Sequence, residues 1–226
     1  MSKYKYVIFD IDNTLLDFSK SEYKALQKVF AKQGVVFNEE TFEQYKKING
    51  ELWHQLEEGK ISKEYLLEQR FYRFFLEHHI VVNGAKVDQD FRHYLEENND
   101  LMDGAIELLE DIKGKGYTVF AGTNGIGSTQ RIRLKNAQMD HFFDELFISE
   151  EVGFEKPDVR FFDYIFNQER ITDKSTVIMI GDSLTSDIEG ARRVGIDSIW
   201  IEDGKELPED FASKKVRFLN EISQII

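Results

Sequence analysis

Five short runs of strand-forming residues, each closed by a polar cluster and separated by segments of helical period, recur along this 226-residue chain. They are Tyr6-Val7-Ile8-Phe9, Tyr117-Thr118-Val119-Phe120-Ala121, Glu145-Leu146-Phe147-Ile148, Thr176-Val177-Ile178-Met179-Ile180 and Ser198-Ile199-Trp200-Ile201. Runs this apolar are buried on both faces, which a sheet achieves when its strands are parallel and helices cover both sides, so the chain reads as α/β. Four of the five lie beyond residue 115. The first is cut off from them by a long interval, 17–100, with no convincing strand, and a helical insert is the economical explanation. Helices are expected there over Ser19–Lys32, ended by Gly34, and from an Asn38 N-cap towards Glu57, with Asn49-Gly50 a candidate break. Two more are expected from Ser62 through Phe75 and over Asp88–Glu97.

Composition narrows what such a fold carries. The chain has no cysteine, which removes disulfides, thiolate metal sites and a Cys nucleophile and favours a reducing, cytoplasmic setting. With 42 acidic against 29 basic side chains the net charge is −13, so no nucleic acid partner is expected. No apolar stretch approaches the ~18 residues of a membrane span and the first residues hold no signal-peptide core, so neither membrane insertion nor secretion is expected. A small anionic ligand would need a local counter-charge.

Ligands of open α/β sheets bind outside the carboxyl ends of the strands, and there the polar clusters fall. The first run ends in Asp10-Ile11-Asp12-Asn13-Thr14. An i, i+2 spacing presents both carboxylates to one site; about 4 Å apart they repel by roughly 4 kcal/mol at an effective dielectric near 20, which a cation or a proton must relieve. The alternative is a polar turn with an Asx motif at Asn13. The second run leads into Gly122-Thr123-Asn124-Gly125 ahead of a helix from about Ser128, a phosphate-holding turn or an ordinary one. After the third comes Lys156-Pro157, where the proline holds the lysine backbone extended, although surface lysines are common. The fourth opens into Gly181-Asp182-Ser183-Leu184-Thr185-Ser186-Asp187, which suits a hard-cation site or an N-cap from Ser183 or Ser186; both can hold at once.

In this order, the acid pair, Thr-Asn, Lys-Pro and second acid pair resemble the four signature motifs of the haloacid dehalogenase (HAD) superfamily, over nearly the whole chain. The resemblance implies a Rossmann-like parallel sheet core over 1–16 and 101–226, with an all-α helical cap of the C1 type over 17–100. Residue by residue it implies Asp10 as nucleophile, Asp12 as general acid/base, Thr123 with Asn124 as the phosphate-binding pair, and Lys156 as the lysine ordering nucleophile and phosphoryl group. It also implies Asp182 as a direct Mg²⁺ ligand and Ser183 and Asp187 as supporting residues. Asp10, the Asp12 carbonyl and Asp182 would offer magnesium three oxygens, leaving room for phosphate and water. The reaction implied is phosphoryl transfer through an aspartyl-phosphate, with Asp12 handing a proton to the leaving group and then activating water.

Asp12 separates the chain from true dehalogenases, which lack the second acid and use no magnesium. Among phosphatases it is similar to the pyrimidine-type 5′-nucleotidases through Asn49, Leu52-Trp53 and Gly59-Lys60-Ile61 in the insert and Ile148 to Gly153 in the core. The expected substrate is therefore a small phosphorylated metabolite, a pyrimidine nucleoside monophosphate. A phosphosugar or phosphoglycolate phosphatase shares the core motifs, and a phosphomutase is a further alternative. A receiver-type signalling module also gathers acids, Thr and Lys on a parallel sheet, but has no use for the insert. Trp53, Tyr45 or Phe42 could stack on a nucleobase, with the packing of helices the plainer reading. Arg131, Arg133 and Lys135 alternate after the second motif and read as a solvated face.

Overall fold

All five apolar runs form strands. β1 (Tyr6–Phe9), β2 (Thr118–Thr123), β3 (Glu145–Ile148), β4 (Val177–Gly181) and β5 (Asp197–Ile201) are joined by β6 (Lys214–Val216) in one sheet of order β3-β2-β1-β4-β5-β6, every pair parallel. The computed structural model describes residues 3–202 and 211–226. β6 has no sequence signal because Lys-Lys-Val reads as polar; it lies at the sheet edge, where lysine guards an unpaired row of backbone groups. The chain divides into two compact units, Met1–Phe18 with Asn99–Ile226, and Ser19–Asn98.

The second unit is all helix: α1 (Phe18–Gln33), whose first residue belongs to the sheet unit, α2 (Glu39–Glu57), α3 (Lys63–Glu77) and α4 (Gly84–Glu96). Asn38 caps α2 with a reciprocal box: its Oδ1 accepts from the Thr41 N–H at 2.9 Å and the Thr41 hydroxyl accepts from the Asn38 N–H at 3.1 Å. Ser62 Oγ caps α3 through the Tyr65 N–H. The core between them is aromatic. Phe30 stacks on Phe74 with ring centroids 4.5 Å apart, and Tyr45 on Phe71 at 5.1 Å; each such buried ring contributes about 1.5–3 kcal/mol. α4 starts four residues before the expected Asp88, because Asn83 Oδ1 caps it through the Lys86 N–H. Asp88 is instead a fully buried helical residue, paired with Arg70 and, at 2.8 Å, with Arg92.

α2 runs through Asn49-Gly50 without a break. Gly50 is exposed, and a Cβ added there would meet nothing within 4 Å. Gly50→Ala is therefore expected to stabilise the helical unit by about 0.5–1 kcal/mol, by removing unfolded-state freedom and raising helix propensity. A higher urea midpoint at unchanged slope is the expected readout; a lower midpoint would contradict a continuous α2.

In the sheet unit, α5 (Ala105–Gly114), α6 (Gly127–Asn136), α7 (Ser149–Val152), α8 (Val159–Gln168) and α9 (Glu189–Val194) flank the strands. Side chains alternate across the sheet as the period of two requires. Val7, Phe9, Ile178 and Ile180 share one apolar cluster with Leu108, Leu109 and Ile112 of α5, whereas Ile8, Val177 and Met179 share another with Phe161, Phe162 and Ile165 of α8. Helices thus cover both faces, giving a Rossmann-like three-layer core. The chain steps outward from β1 to β2 and β3 on one side, then returns to β4 on the other. The crevice at that reversal, beyond the carboxyl ends of β1, β2 and β4, is where this topology opens a site.

Candidate active site

Lys156 is the hub of that crevice. Its ammonium, 1% exposed, donates to Asp10 Oδ1 at 2.7 Å, to Asp187 Oδ1 at 2.6 Å and to the Gly122 carbonyl at 2.5 Å, one bond for each of its three hydrogens. Its backbone is fixed as well. The Lys156 N–H donates to Asn124 Oδ1 at 2.8 Å and its carbonyl accepts from Asn124 Nδ2 at 2.9 Å, ahead of a cis bond to Pro157. Asn124, expected at a phosphate, spends both ends of its amide joining the second and third motif loops.

Asp10 follows β1 and its N–H bonds to the Ile180 carbonyl of β4 at 2.9 Å, locking the two central strand ends together. Asp182 follows β4; its Oδ1 accepts from the buried Thr14 hydroxyl at 3.3 Å and its carbonyl accepts from Trp200 Nε1 at 2.9 Å. Asp187 sits on a π-helical turn, Leu184–Ile188, capped by Ser183, whose Oγ accepts from the Ser186 N–H. Of the two serines considered as caps, Ser183 is the one used. The Ser183 N–H also donates to Asp187 Oδ2 at 3.1 Å. Gly181 is required here: a Cβ at that position would overlap the Asp187 carboxylate.

Asp10, Asp182 and Asp187 each offer a carboxylate oxygen, all within 4.8 Å of one another. Three carboxylates facing one ammonium leave a formal deficit of two positive charges, the charge of a divalent ion. The electrostatics agree. Burial raises the Asp10 carboxyl well above the usual carboxylate range, with Asp187, Asp182 and Asp12 adding repulsion that Lys156 only partly offsets. Asp182 is pushed up to about 7, first by burial and then by Asp187. Lys156 stays protonated, since Asp10 and Asp187 outweigh the burial that pulls its pKa down. An all-oxygen donor set of this kind fits a hard cation such as Mg²⁺ or Ca²⁺ and disfavours soft metals.

Asp12 faces elsewhere. Its Oδ2 accepts from Gln130 Nε2 at 2.8 Å and its Oδ1 from Arg133 Nη1 at 2.5 Å, both on α6. Gln130 Nε2 also reaches Thr123 Oγ1 at 2.9 Å, and the Gly125 N–H donates to the same oxygen at 3.0 Å. The two lone pairs of the Thr123 hydroxyl are thus occupied, leaving its hydrogen as the group it has to donate.

The family profile for haloacid dehalogenase-like hydrolases matches residues 7–201, a span that includes every residue just described. The chain belongs to this family. This HAD-like hydrolase is 38% identical to pyrimidine 5′-nucleotidase PynA of Streptococcus pneumoniae over 87% of its own length and 83% of PynA. It is 33% identical to pyrimidine 5′-nucleotidase YjjG of Escherichia coli over 99% and 98% of the two chains. Its fold matches the magnesium-bound crystal structure of the HAD-hydrolase YfnB from Bacillus subtilis with a TM-score of 0.93 at 34% identity, covering 99% of each chain.

One expectation for this HAD-like hydrolase needs correction. Arg133 is not on a solvated face: it is 2% exposed, whereas Arg131 pairs with Glu151 at the surface and Lys135 is exposed. The buried face of α6 is mixed: Leu134 joins the apolar core, whereas Gln130 and Arg133 are turned to Asp12 and Thr123. Gln130 carries no charge, and its i, i+3 spacing from Arg133 behind the second motif is its only trace in the sequence. Tyr45 is fully buried among Phe30, Phe71 and Phe74, in keeping with the plainer reading that it packs helices together. Trp53 packs against the cluster of Leu52, Leu56 and Leu66, and Phe42 against Tyr23 and Phe37. No helix among the described residues is long and apolar enough to cross a membrane.

Proposed function

We propose that this hydrolase is a magnesium-dependent phosphatase acting on pyrimidine nucleoside 5′-monophosphates through an aspartyl-phosphate on Asp10. The observation that carries the reading is the buried Lys156 bridging Asp10 and Asp187, with Asp182 alongside and two positive charges wanting. The names of PynA and YjjG supply the nucleotide class, and the magnesium bound to YfnB supplies the cation.

Asp10 and Asp182 would hold the ion, which when bound neutralises charge on the phosphoryl oxygens. Lys156 holds Asp10 Oδ1, orienting the carboxylate for in-line attack on phosphorus. As the new O–P bond forms, the ester O–P bond breaks and the leaving alkoxide takes a proton from Asp12. Thr123 donates its hydroxyl hydrogen to the transferring group, whose charge the nearby Lys156 ammonium stabilises. Asp12, now ionised, takes a proton from water as that water attacks the phosphoenzyme, and phosphate leaves with Asp10 restored. The helical unit is assigned the part of the cap, the insert that selects the leaving group and, in this reading, moves aside for exchange.

The test is phosphate release by purified protein across pyrimidine and purine nucleoside monophosphates, sugar phosphates and phosphoglycolate, with Mg²⁺ and with EDTA. Release led by pyrimidine monophosphates and lost in EDTA is expected. Release led by a sugar phosphate or phosphoglycolate would discard the nucleotide class and keep the core chemistry, while release unaffected by EDTA would discard the metal.

A further inference from the structure

Arg133 and Gln130 have no part in the phosphoryl chemistry just described, yet both are buried in the crevice, 2% and 1% exposed. Their hydrogen bonds form a closed set. Arg133 Nη1 donates to Asp12 Oδ1 at 2.5 Å and to Gln130 Oε1 at 2.9 Å, and Gln130 Nε2 donates to Asp12 Oδ2 at 2.8 Å and to Thr123 Oγ1 at 2.9 Å. The amide orientation is fixed by its neighbours, since only its oxygen can face the guanidinium and only its nitrogen the carboxylate. Each oxygen of Asp12 therefore has its own donor, and the carboxylate cannot turn without breaking one of them.

Arg133 is otherwise poorly rewarded for its burial. Its Nε has no hydrogen-bond partner among the described residues, and its guanidinium lies 5.5 Å from the ring centre of Phe18. An arginine held for packing alone would be expected to satisfy its donors on backbone carbonyls. Gly125 is shaped to the same set, because a Cβ there would come within 2.6 Å of Gln130 Nε2.

We infer that Arg133 and Gln130 are positioning residues: a two-pronged clamp that fixes the orientation of the Asp12 carboxyl and ties it, through Thr123, to the loop that receives phosphate. The inference rests on the reading of Asp12 as the general acid/base. A proton donor must lie within hydrogen-bond reach of the leaving oxygen, and a misplacement of about 1 Å costs on the order of 10²-fold in rate.

A double-mutant cycle on Asp12→Ala and Arg133→Met tests it, with kcat and KM measured on a nucleoside 5′-monophosphate and the first-turnover burst measured on 4-nitrophenyl phosphate, whose leaving group needs no proton. R133M is expected to lower kcat on the nucleotide on the order of 10²-fold with KM within about twofold, to leave the 4-nitrophenolate burst at the wild-type rate, and to be partly rescued in R133K. In the D12A background R133M should cost nothing further, because the clamp acts only through Asp12. Equal losses from R133M in both backgrounds, or an unchanged kcat, would overturn the clamp while leaving Asp12 in its role. A D12A enzyme as fast as wild type would instead sink the role of Asp12 itself. Should R133M fail to fold, R133K reads the same cycle, its partial loss on the nucleotide expected to vanish in the D12A background.

Discussion

Asp10→Asn is expected to reduce phosphate release to the buffer background while leaving the protein folded. The amide has the shape of the carboxylate, and Oδ1 of the new side chain can still accept from Lys156, which keeps Asp187 and the Gly122 carbonyl as partners. What disappears is the anionic oxygen that attacks phosphorus, for which no neighbouring group substitutes: Asp187 is fully buried and held by Lys156 and the Ser183 N–H, and Asp12 is turned to α6 and committed to the proton. The substitution also removes one of three crowded buried charges, so in EDTA the thermal midpoint should equal or exceed that of wild type. Release at a rate near wild type would rule Asp10 out as the nucleophile.

Lys156→Met carries the second large effect, on stability as well as rate. Two carboxylates lose their shared counter-charge, one of them fully buried and the other 8% exposed. Breaking a buried pair by removing one partner costs about 3–5 kcal/mol, since the remaining charge stays desolvated. The sign of the pH dependence follows from Asp10. Its pKa is already raised in the folded state, and Lys156 is the group that pulls it back, so the substitution raises it further. A carboxyl whose folded pKa exceeds its unfolded value favours the fold below the unfolded value, near 4, and loses that contribution as pH rises. The K156M deficit in EDTA should thus be smallest near pH 4 and grow towards neutrality. Asp187→Asn in the same chain should recover part of it. A deficit independent of pH and of Asp187 would show that lost packing, not unpaired charge, explains the destabilisation.

The strands and their ends were legible because a buried parallel strand has almost no latitude in composition. Val7-Ile8-Phe9 and Ile178-Met179-Ile180 must be apolar on both faces, and the polar stretch that follows each must sit at the crevice, which places Asp10 and Asp182 there from the sequence alone. The cap of the second helix is legible for the same local reason, at Asn38. Tertiary contacts were not. Asp88 reads as a helix start until its burial against Arg70 is seen, and no spacing in the sequence foretells that the Asn124 amide grips the backbone of Lys156. Arg133 misled most, because an arginine between Arg131 and Lys135 has the pattern of a solvated face. Only the position of Asp12, more than a hundred residues earlier in the chain, turns that side chain inward.

The central claim is that phosphate passes through Asp10, and it is tested most directly by trapping the intermediate. Enzyme mixed with Mg²⁺ and a pyrimidine nucleoside monophosphate is acid-quenched during turnover, reduced with borohydride, which converts an acyl phosphate to an alcohol, and mapped by peptide mass spectrometry. Homoserine at position 10, appearing only with substrate and absent from Asp10→Asn, is the predicted result. Turnover at full rate with position 10 unmodified, or with the reduced residue found elsewhere, would contradict it.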